Sequence, residues 1–220
     1  MGVQVLGISG SPVPNSNTDR TVRHILASTG LETEFIKLST LELVPCRACL
    51  CCLDADECPV NDDGKRLAAQ FAEADAFVLG AYTPCGSLDA RTKTFMERMY
   101  CLRHRKGLNR GKTGVTVITT DISGDAPGEP TAVQIASTQL RSWMAEEGMT
   151  HLGALVLHGN VPCFRCGHGD ACDMSDLKLS HGAHDIVRSA GLEDAEPSPE
   201  LLEKAEELGR ALRNALTGES

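Results

Sequence analysis

The chain has 220 residues, 41% of them apolar, which is enough for one domain with a full hydrophobic core. No apolar stretch approaches the roughly 20 residues that cross a bilayer, and the N-terminus lacks the basic region and cleavage site of a signal peptide. We therefore expect a cytoplasmic protein without membrane contact. The formal charge of −9 argues against nucleic-acid binding.

Apolar runs alternate with helical patterns along the chain. The predicted strands are Val3–Ile8, Glu34–Leu38, Ala76–Ala81, Gly114–Thr119 and His151–Leu157. The predicted helices are Ser16–Ser28, Asp62–Ala74, Ala90–Arg103, Thr131–Glu147 and Pro199–Leu216. This alternation predicts an α/β fold, in which a parallel sheet is covered by helices on both faces. We assign residues 1–190 to one domain and residues 191–220 to a linker and a final helix packed on it.

The loops that follow the strands carry the candidate functional residues. In a parallel sheet these loops emerge at one edge, where ligands bind. The loop after the first strand is rich in small and hydroxyl residues and leads directly into a helix. Its backbone N–H groups, with Ser9, Ser11, Ser16, Asn17 and Thr18, can surround an anion. Because the loop has no G-x-x-x-x-G-K-[ST] pattern, a nucleoside triphosphate is disfavoured. The alternative is an ordinary capped turn.

Four cysteines after the second strand have the spacing C-x2-C-x2-C-x5-C: Cys46, Cys49, Cys52 and Cys58. Such a run can bind one [4Fe-4S] cluster. Structural zinc and unligated thiols are the alternatives, although zinc sites usually pair two C-x2-C units across a longer loop. Cys51 is expected to point away or to replace Cys52. Few cationic residues are near in sequence, so we expect backbone N–H groups, not ion pairs, to tune the sulfur ligands.

A second group, Cys163, Cys166 and Cys172, repeats part of this spacing. It is predicted to form a second metal or cluster site, with His168, His181, Cys51 or Cys101 as the fourth ligand. A zinc site and free or disulfide-bonded thiols remain the alternatives.

Gly10–Thr18 and the segment Gly86–Arg98 resemble two motifs of the NADPH-dependent FMN reductase superfamily. With the cysteine run, the chain resembles its iron–sulfur flavoprotein branch. The resemblance implies a flavodoxin-like, doubly wound five-stranded sheet of order 2-1-3-4-5 with cysteine-rich loop insertions. It implies FMN bound by the first loop, by the segment Tyr82, Thr83, Pro84, Cys85, Gly86 and Ser87, and by Thr120. Cys85 is interpreted as a packing residue, with a redox thiol as the alternative.

The resemblance implies an FMN-dependent oxidoreductase that couples one-electron [4Fe-4S] chemistry to two-electron FMN chemistry, as a homodimer or homotetramer. A ferredoxin-like carrier or NAD(P)H is the expected donor. Two alternatives remain: an NAD(P)H-dependent FMN or quinone reductase with structural zinc, and a non-catalytic redox sensor.

Overall fold

Five parallel strands form one sheet in the order β2-β1-β3-β4-β5. The strands are β1 Val5–Ser9, β2 Thr33–Lys37, β3 Ala76–Tyr82, β4 Thr113–Thr120 and β5 Thr150–His158. The helices are α1 Asn17–Thr29, α2 Gly64–Glu73, α3 Ala90–Arg98, α4 Ala132–Glu146 and α5 Pro199–Thr217. The computed structural model describes residues 4–55, 57–120, 130–158, 168, 172–173 and 198–218. The α/β class and the strand order 2-1-3-4-5 are thus confirmed.

The central strands are almost wholly buried because helices cover both faces of the sheet. On one face, Phe71, Phe95 and Trp143 pack their rings together beneath α2, α3 and α4. On the other face, the buried side chains of α1 and α5, such as Ile25 and Leu212, form a second apolar layer. The final helix therefore lies against the same sheet as α1.

Two helices differ from the sequence prediction by two or more residues at one end. The predicted helix Ala90–Arg103 ends as an α-helix at Arg98 and continues as a 3-10 turn, Met99–Leu102. Helix α2 begins at Gly64 rather than at Asp62. The reason is that the Asp62 carboxylate accepts the Gly64 N–H at 2.9 Å and stays outside the helix.

No helix within the described residues is both long and apolar enough to cross a membrane. Of the second cysteine group, Cys163 and Cys166 lie outside the described residues. Cys172 is partly buried and free.

Candidate functional site

The loops after β1, β3 and β4 meet at the carboxyl edge of the sheet. The Gly10 N–H donates to the Gly80 carbonyl at 2.8 Å. The hydroxyls of Thr18 and Thr119 lie 2.8 Å apart, and Thr83 donates to Thr120 at the same distance. The predicted residues Thr18, Thr83 and Thr120 thus join the three loops to one another.

Hydroxyl groups of the first loop are largely used within the loop itself. Ser9 donates to Asp19 at 2.6 Å and accepts from the Ser11 N–H at 3.3 Å. Ser11 in turn accepts from the Val13 N–H. Ser16 caps α1 by accepting from the Asp19 N–H at 3.1 Å. Since Ser9, Ser11 and Thr18 are also buried, these side chains shape the loop more than they line its surface.

Lys37, at the end of β2, supplies a cation that the loop's own sequence lacks. Its ammonium group bonds the buried carboxylate of Asp19 and the carbonyl oxygen of Val13 at 2.8 Å. Neither Lys37 nor Asp19 was predicted as a site residue. The available signal was their position, since Lys37 pairs with Ser9 across β1 and β2. At the start of α1, the N–H groups of Asn17 and Thr18 precede the first intrahelical bonds, and such N–H groups suit an anion.

The segment Tyr82–Ser87 after β3 has an unusual backbone. Pro84–Gly86 forms a 3-10 turn in which Cys85 and Gly86 have φ angles of 52° and 74°. Cys85 is exposed, and burial raises the pKa of Tyr82. A left-handed conformation at a non-glycine residue is uncommon and concentrates at functional sites.

Asp89 holds this segment against the first loop. Its carboxylate accepts from the Tyr82 N–H at 3.3 Å and from the Thr92 N–H at 2.8 Å. Burial raises the pKa of this carboxyl group. A Cβ atom at Gly10 would lie 2.1 Å from the Thr92 hydroxyl and 2.8 Å from Asp89. Only glycine therefore permits this contact between the two loops.

The four cysteines of the first cysteine group lie on one loop between β2 and α2, called the cysteine loop here (residues 46–58). Cys46 and Cys49 are exposed, whereas Cys52 and Cys58 are half-buried. Ala48 and Leu50 have left-handed backbones, with φ angles of 50° and 59°. In the described part of the chain, no three His, Cys, Asp or Glu side chains are gathered closely enough to hold a metal ion.

Electrostatics nevertheless connect these thiols. Burial raises the pKa of Cys52, and the charges of Cys58, Cys46 and Cys49 act in the same direction, which places all four within electrostatic range. Hydrogen bonds from Cys51 lower the pKa of Cys49, and the same contact raises the pKa of Cys51. Four sulfur donors on one loop suit a cluster chemically, and Cys51 contacts Cys49.

An ion pair closes the base of the cysteine loop, although few cationic residues are near the cysteines in sequence. Arg98 forms a two-pronged pair with Asp62, with N–O distances of 2.6 and 2.8 Å. Because of this pair and the N–H donors of Val44 and Gly64, the pKa of Asp62 is lowered to about 2 against the cost of burial. Asp63 accepts from the Glu42 N–H at 2.8 Å. The Asp62-Asp63 pair therefore ties both ends of the loop together.

Cys101 lies beneath the cysteine loop, near Cys52 and Cys58. Its thiol is buried and donates to the Arg98 carbonyl at 3.3 Å. Burial, with smaller contributions from the charges of Cys58 and Cys52, raises its pKa to about 11. A thiol with so high a pKa remains protonated at neutral pH.

Comparison with known proteins decides the family. The NADPH-dependent FMN reductase family matches residues 3–161. The chain belongs to this family. It is accordingly an FMN-dependent oxidoreductase, as the sequence predicted.

Two curated relatives carry a more specific name. An iron-sulfur flavoprotein of Methanocaldococcus jannaschii is 36% identical over 135 residues, which cover 60% of this chain and 68% of the relative. An iron-sulfur flavoprotein of Archaeoglobus fulgidus is 27% identical over 216 residues, covering 96% of this chain and 92% of the relative. Among solved structures, an azoreductase from Bacillus anthracis superposes with a TM-score of 0.60 at 17% identity, covering 95% and 99% of the two chains. That likeness shows a shared fold.

Proposed function

We propose that this FMN reductase family member is an iron–sulfur flavoprotein, in which the cysteine loop holds a [4Fe-4S] cluster and the loops after β1, β3 and β4 hold FMN. The observation that carries the proposal is the cysteine loop itself. It places four thiols on the sheet edge that also carries the flavin loops, and its two ends are tied together by buried charges. The names of the curated relatives support the same reading.

This chain's residues have distinct roles in the proposal. The free N–H groups at the start of α1, at Asn17 and Thr18, face the FMN phosphate, and Ser9, Ser11 and Ser16 keep that loop in shape. The backbone of Tyr82–Ser87 lies along the flavin ring, held by Asp89 and by the Thr83–Thr120 contact. Cys46, Cys49, Cys52 and Cys58 are the cluster ligands. Cys163, Cys166 and Cys172 are a second metal or cluster site.

FMN exchanges electrons in pairs or singly, and a [4Fe-4S] cluster exchanges them one at a time. The two cofactors together would therefore link two-electron transfer to one-electron transfer. The protein supplies placement and electrostatics. The proposed donor is a ferredoxin-like carrier or NAD(P)H, and the proposed assembly is a homodimer or homotetramer.

Anaerobic purification, followed by assay of iron, sulfide, zinc and flavin, tests the cofactors. About four irons and four sulfides per chain are expected for one cluster, and about eight of each if the second cysteine group binds another. Zinc without sulfide would refute the cluster. Cys49→Ser should remove the first cluster and leave FMN bound. The matched variant Cys51→Ser should keep both.

A separate kinetic test addresses the donor. Reduced ferredoxin and NADPH are each mixed with the holoprotein, and bleaching of the visible spectrum is followed. Reduction by ferredoxin alone would support electron transfer as the function. Fast reduction by NADPH in protein depleted of iron would instead support a plain flavin reductase.

A further inference from the structure

Arg98 is the largest completely buried side chain among the described residues. It is the last residue of α3, in the segment that resembles a flavin-binding motif, yet its side chain reaches the cysteine loop instead. Its Nη1 donates to the Val44 carbonyl at 2.9 Å as well as to Asp62. Val44 lies two residues before Cys46, so Arg98 fixes the point at which the loop begins.

Asp62 completes this arrangement from the other end of the loop. Its carboxylate accepts from the Val44 N–H at 3.0 Å and from the Gly64 N–H at 2.9 Å. Val44 is therefore bonded through its carbonyl to Arg98 and through its N–H to Asp62. A Cβ atom at Gly64 would lie 2.4 Å from Nη2 of Arg98, so α2 begins directly against the guanidinium. We call the ion pair of Arg98 and Asp62 the loop clamp.

The charge of the clamp also reaches a predicted ligand. Against the cost of burial, Asp62 and Cys58 raise the pKa of Arg98, so the Cys58 thiol lies close to the guanidinium. The Nε atom of Arg98 is buried and has no hydrogen-bond partner within the described residues. Asp62 compensates the charge of the guanidinium, but a buried N–H without an acceptor still costs free energy. A thiolate ligand of the cluster at Cys58 would supply such an acceptor.

We propose that Arg98 is a positioning residue for the cluster: it holds the base of the cysteine loop through Asp62 and Val44 and keeps a permanent positive charge beside Cys58. This inference rests on the proposed function. A fixed cation beside the ligands would favour the cluster with one additional electron, and so one additional negative charge, and would raise its reduction potential. Residues that orient a metal ligand without binding the metal commonly contribute 10–100-fold to metal affinity, and we expect about that range here.

Three variants distinguish the hydrogen bonds of the loop clamp from the positive charge of Arg98. Arg98→Gln removes both, Arg98→Lys keeps the charge but loses the two-pronged geometry, and Asp62→Asn keeps the cation while removing its counter-charge. Arg105→Gln is the matched control, because Arg105 also contacts the cysteine loop, at the carbonyl of Asp54, but from an exposed position.

Each anaerobically purified protein is assayed for iron, sulfide and FMN, for the rate of iron release to a chelator, and for the midpoint potential by a dithionite titration followed by electron paramagnetic resonance. Arg98→Gln should release iron about 10–100-fold faster and move the midpoint to a more negative value. Asp62→Asn should move it to a more positive value. Arg98→Lys should release iron faster at a nearly unchanged midpoint. FMN content and the Arg105→Gln control should match the wild type.

Opposite shifts of the midpoint potential in Arg98→Gln and Asp62→Asn would indicate an effect of charge. A general loosening of the cysteine loop would shift the midpoint potential of both variants in the same direction. Wild-type-like iron release and potential in Arg98→Gln would overturn the inference while leaving the cluster intact. Wild-type protein with neither iron nor sulfide would refute the proposed function and the charge role with it. If Arg98→Gln does not fold, Asp62→Asn and Arg98→Lys still decide between the outcomes.

Discussion

The first loop and the cysteine loop leave neighbouring strands of the same sheet, yet they are built in opposite ways. In the first loop, Ser9, Ser11 and Asp19 are buried and bonded to one another. In the cysteine loop, Cys46, Cys49 and Leu50 are exposed, and the buried ion pair of Arg98 with Asp62 lies at its base. A phosphate-binding loop works by presenting prearranged N–H groups. A loop of thiols, in contrast, can be completed by the metal centre it binds.

The largest expected effect comes from removing the charge of Asp19, whose carboxylate bonds Ser9 and Lys37. Asp19→Asn leaves Lys37 partly buried without its counter-charge and weakens the acceptor for Ser9. Removing one partner of a buried ion pair typically costs about 3–5 kcal/mol, so we expect a loss near 3 kcal/mol and at least about a tenfold loss of FMN affinity. Urea unfolding and flavin fluorescence titration measure the two effects.

The control for this change is Asp63→Asn, which removes an aspartate of the cysteine loop base whose side chain is one-third exposed, at 34%. It should leave FMN affinity unchanged. Equal loss of FMN affinity in both variants would contradict the view that the first loop is organised separately from the cysteine loop.

The next effect concerns the base of the cysteine loop. Gly64→Ala places a methyl group against the Arg98 guanidinium, and overpacking of this kind costs about 1–3 kcal/mol. Differential scanning calorimetry should show the loss, and hydrogen exchange should show faster exchange at the Val44 N–H. Arg66→Ala, an exposed change in the same helix, should stay within about 0.5 kcal/mol of the wild type. An unchanged Val44 exchange rate would show that the base does not control the loop.

The sequence was most informative where the physical cause is local. The strands were predicted because a sheet covered on both faces needs continuous apolar runs, as in Val5–Ser9. The cysteine loop was found from spacing alone. The loop clamp was not predicted from the sequence, because Arg98 and Asp62 are 36 residues apart and meet only through the packing of α3 beside α2. Lys37 was missed for the same reason, since its contact with Asp19 follows from the pairing of β1 with β2. Strand order itself came from the family resemblance.

Lowering the pH provides a graded test of the ion pair at the base of the cysteine loop. The folded-state pKa of Asp62, about 2, is below its ordinary value of 3.8. Its contribution to stability is therefore complete above about pH 4 and is lost as the pH falls towards 2. We expect this contribution of Asp62 to the free energy of unfolding to be about 1–2 kcal/mol, after allowing for screening by solvent. Unfolding free energies of metal-free protein between pH 5 and 2.5 should fall less steeply in Asp62→Asn than in the wild type. Parallel curves would assign acid sensitivity to other carboxylates.

The smallest effect compares backbone strain in the two kinds of loop. Cys85, in the segment Tyr82–Ser87, and Leu50, in the cysteine loop, both have exposed side chains and left-handed backbones. Glycine adopts this conformation without strain, so a replacement relieves up to about 1 kcal/mol where the surrounding structure holds the residue in place, partly offset by the greater freedom of the unfolded chain. In Tyr82–Ser87, which Asp89 holds in place, relief in Cys85→Gly should appear as a higher melting temperature of metal-free protein. Leu50→Gly should leave that temperature unchanged, because the contacts of the cysteine loop beyond its base are exposed, and should instead slow iron release from the holoprotein. A higher melting temperature in Leu50→Gly would mean that the cysteine loop is as rigid without metal as the first loop, and the contrast between the two loops would fail.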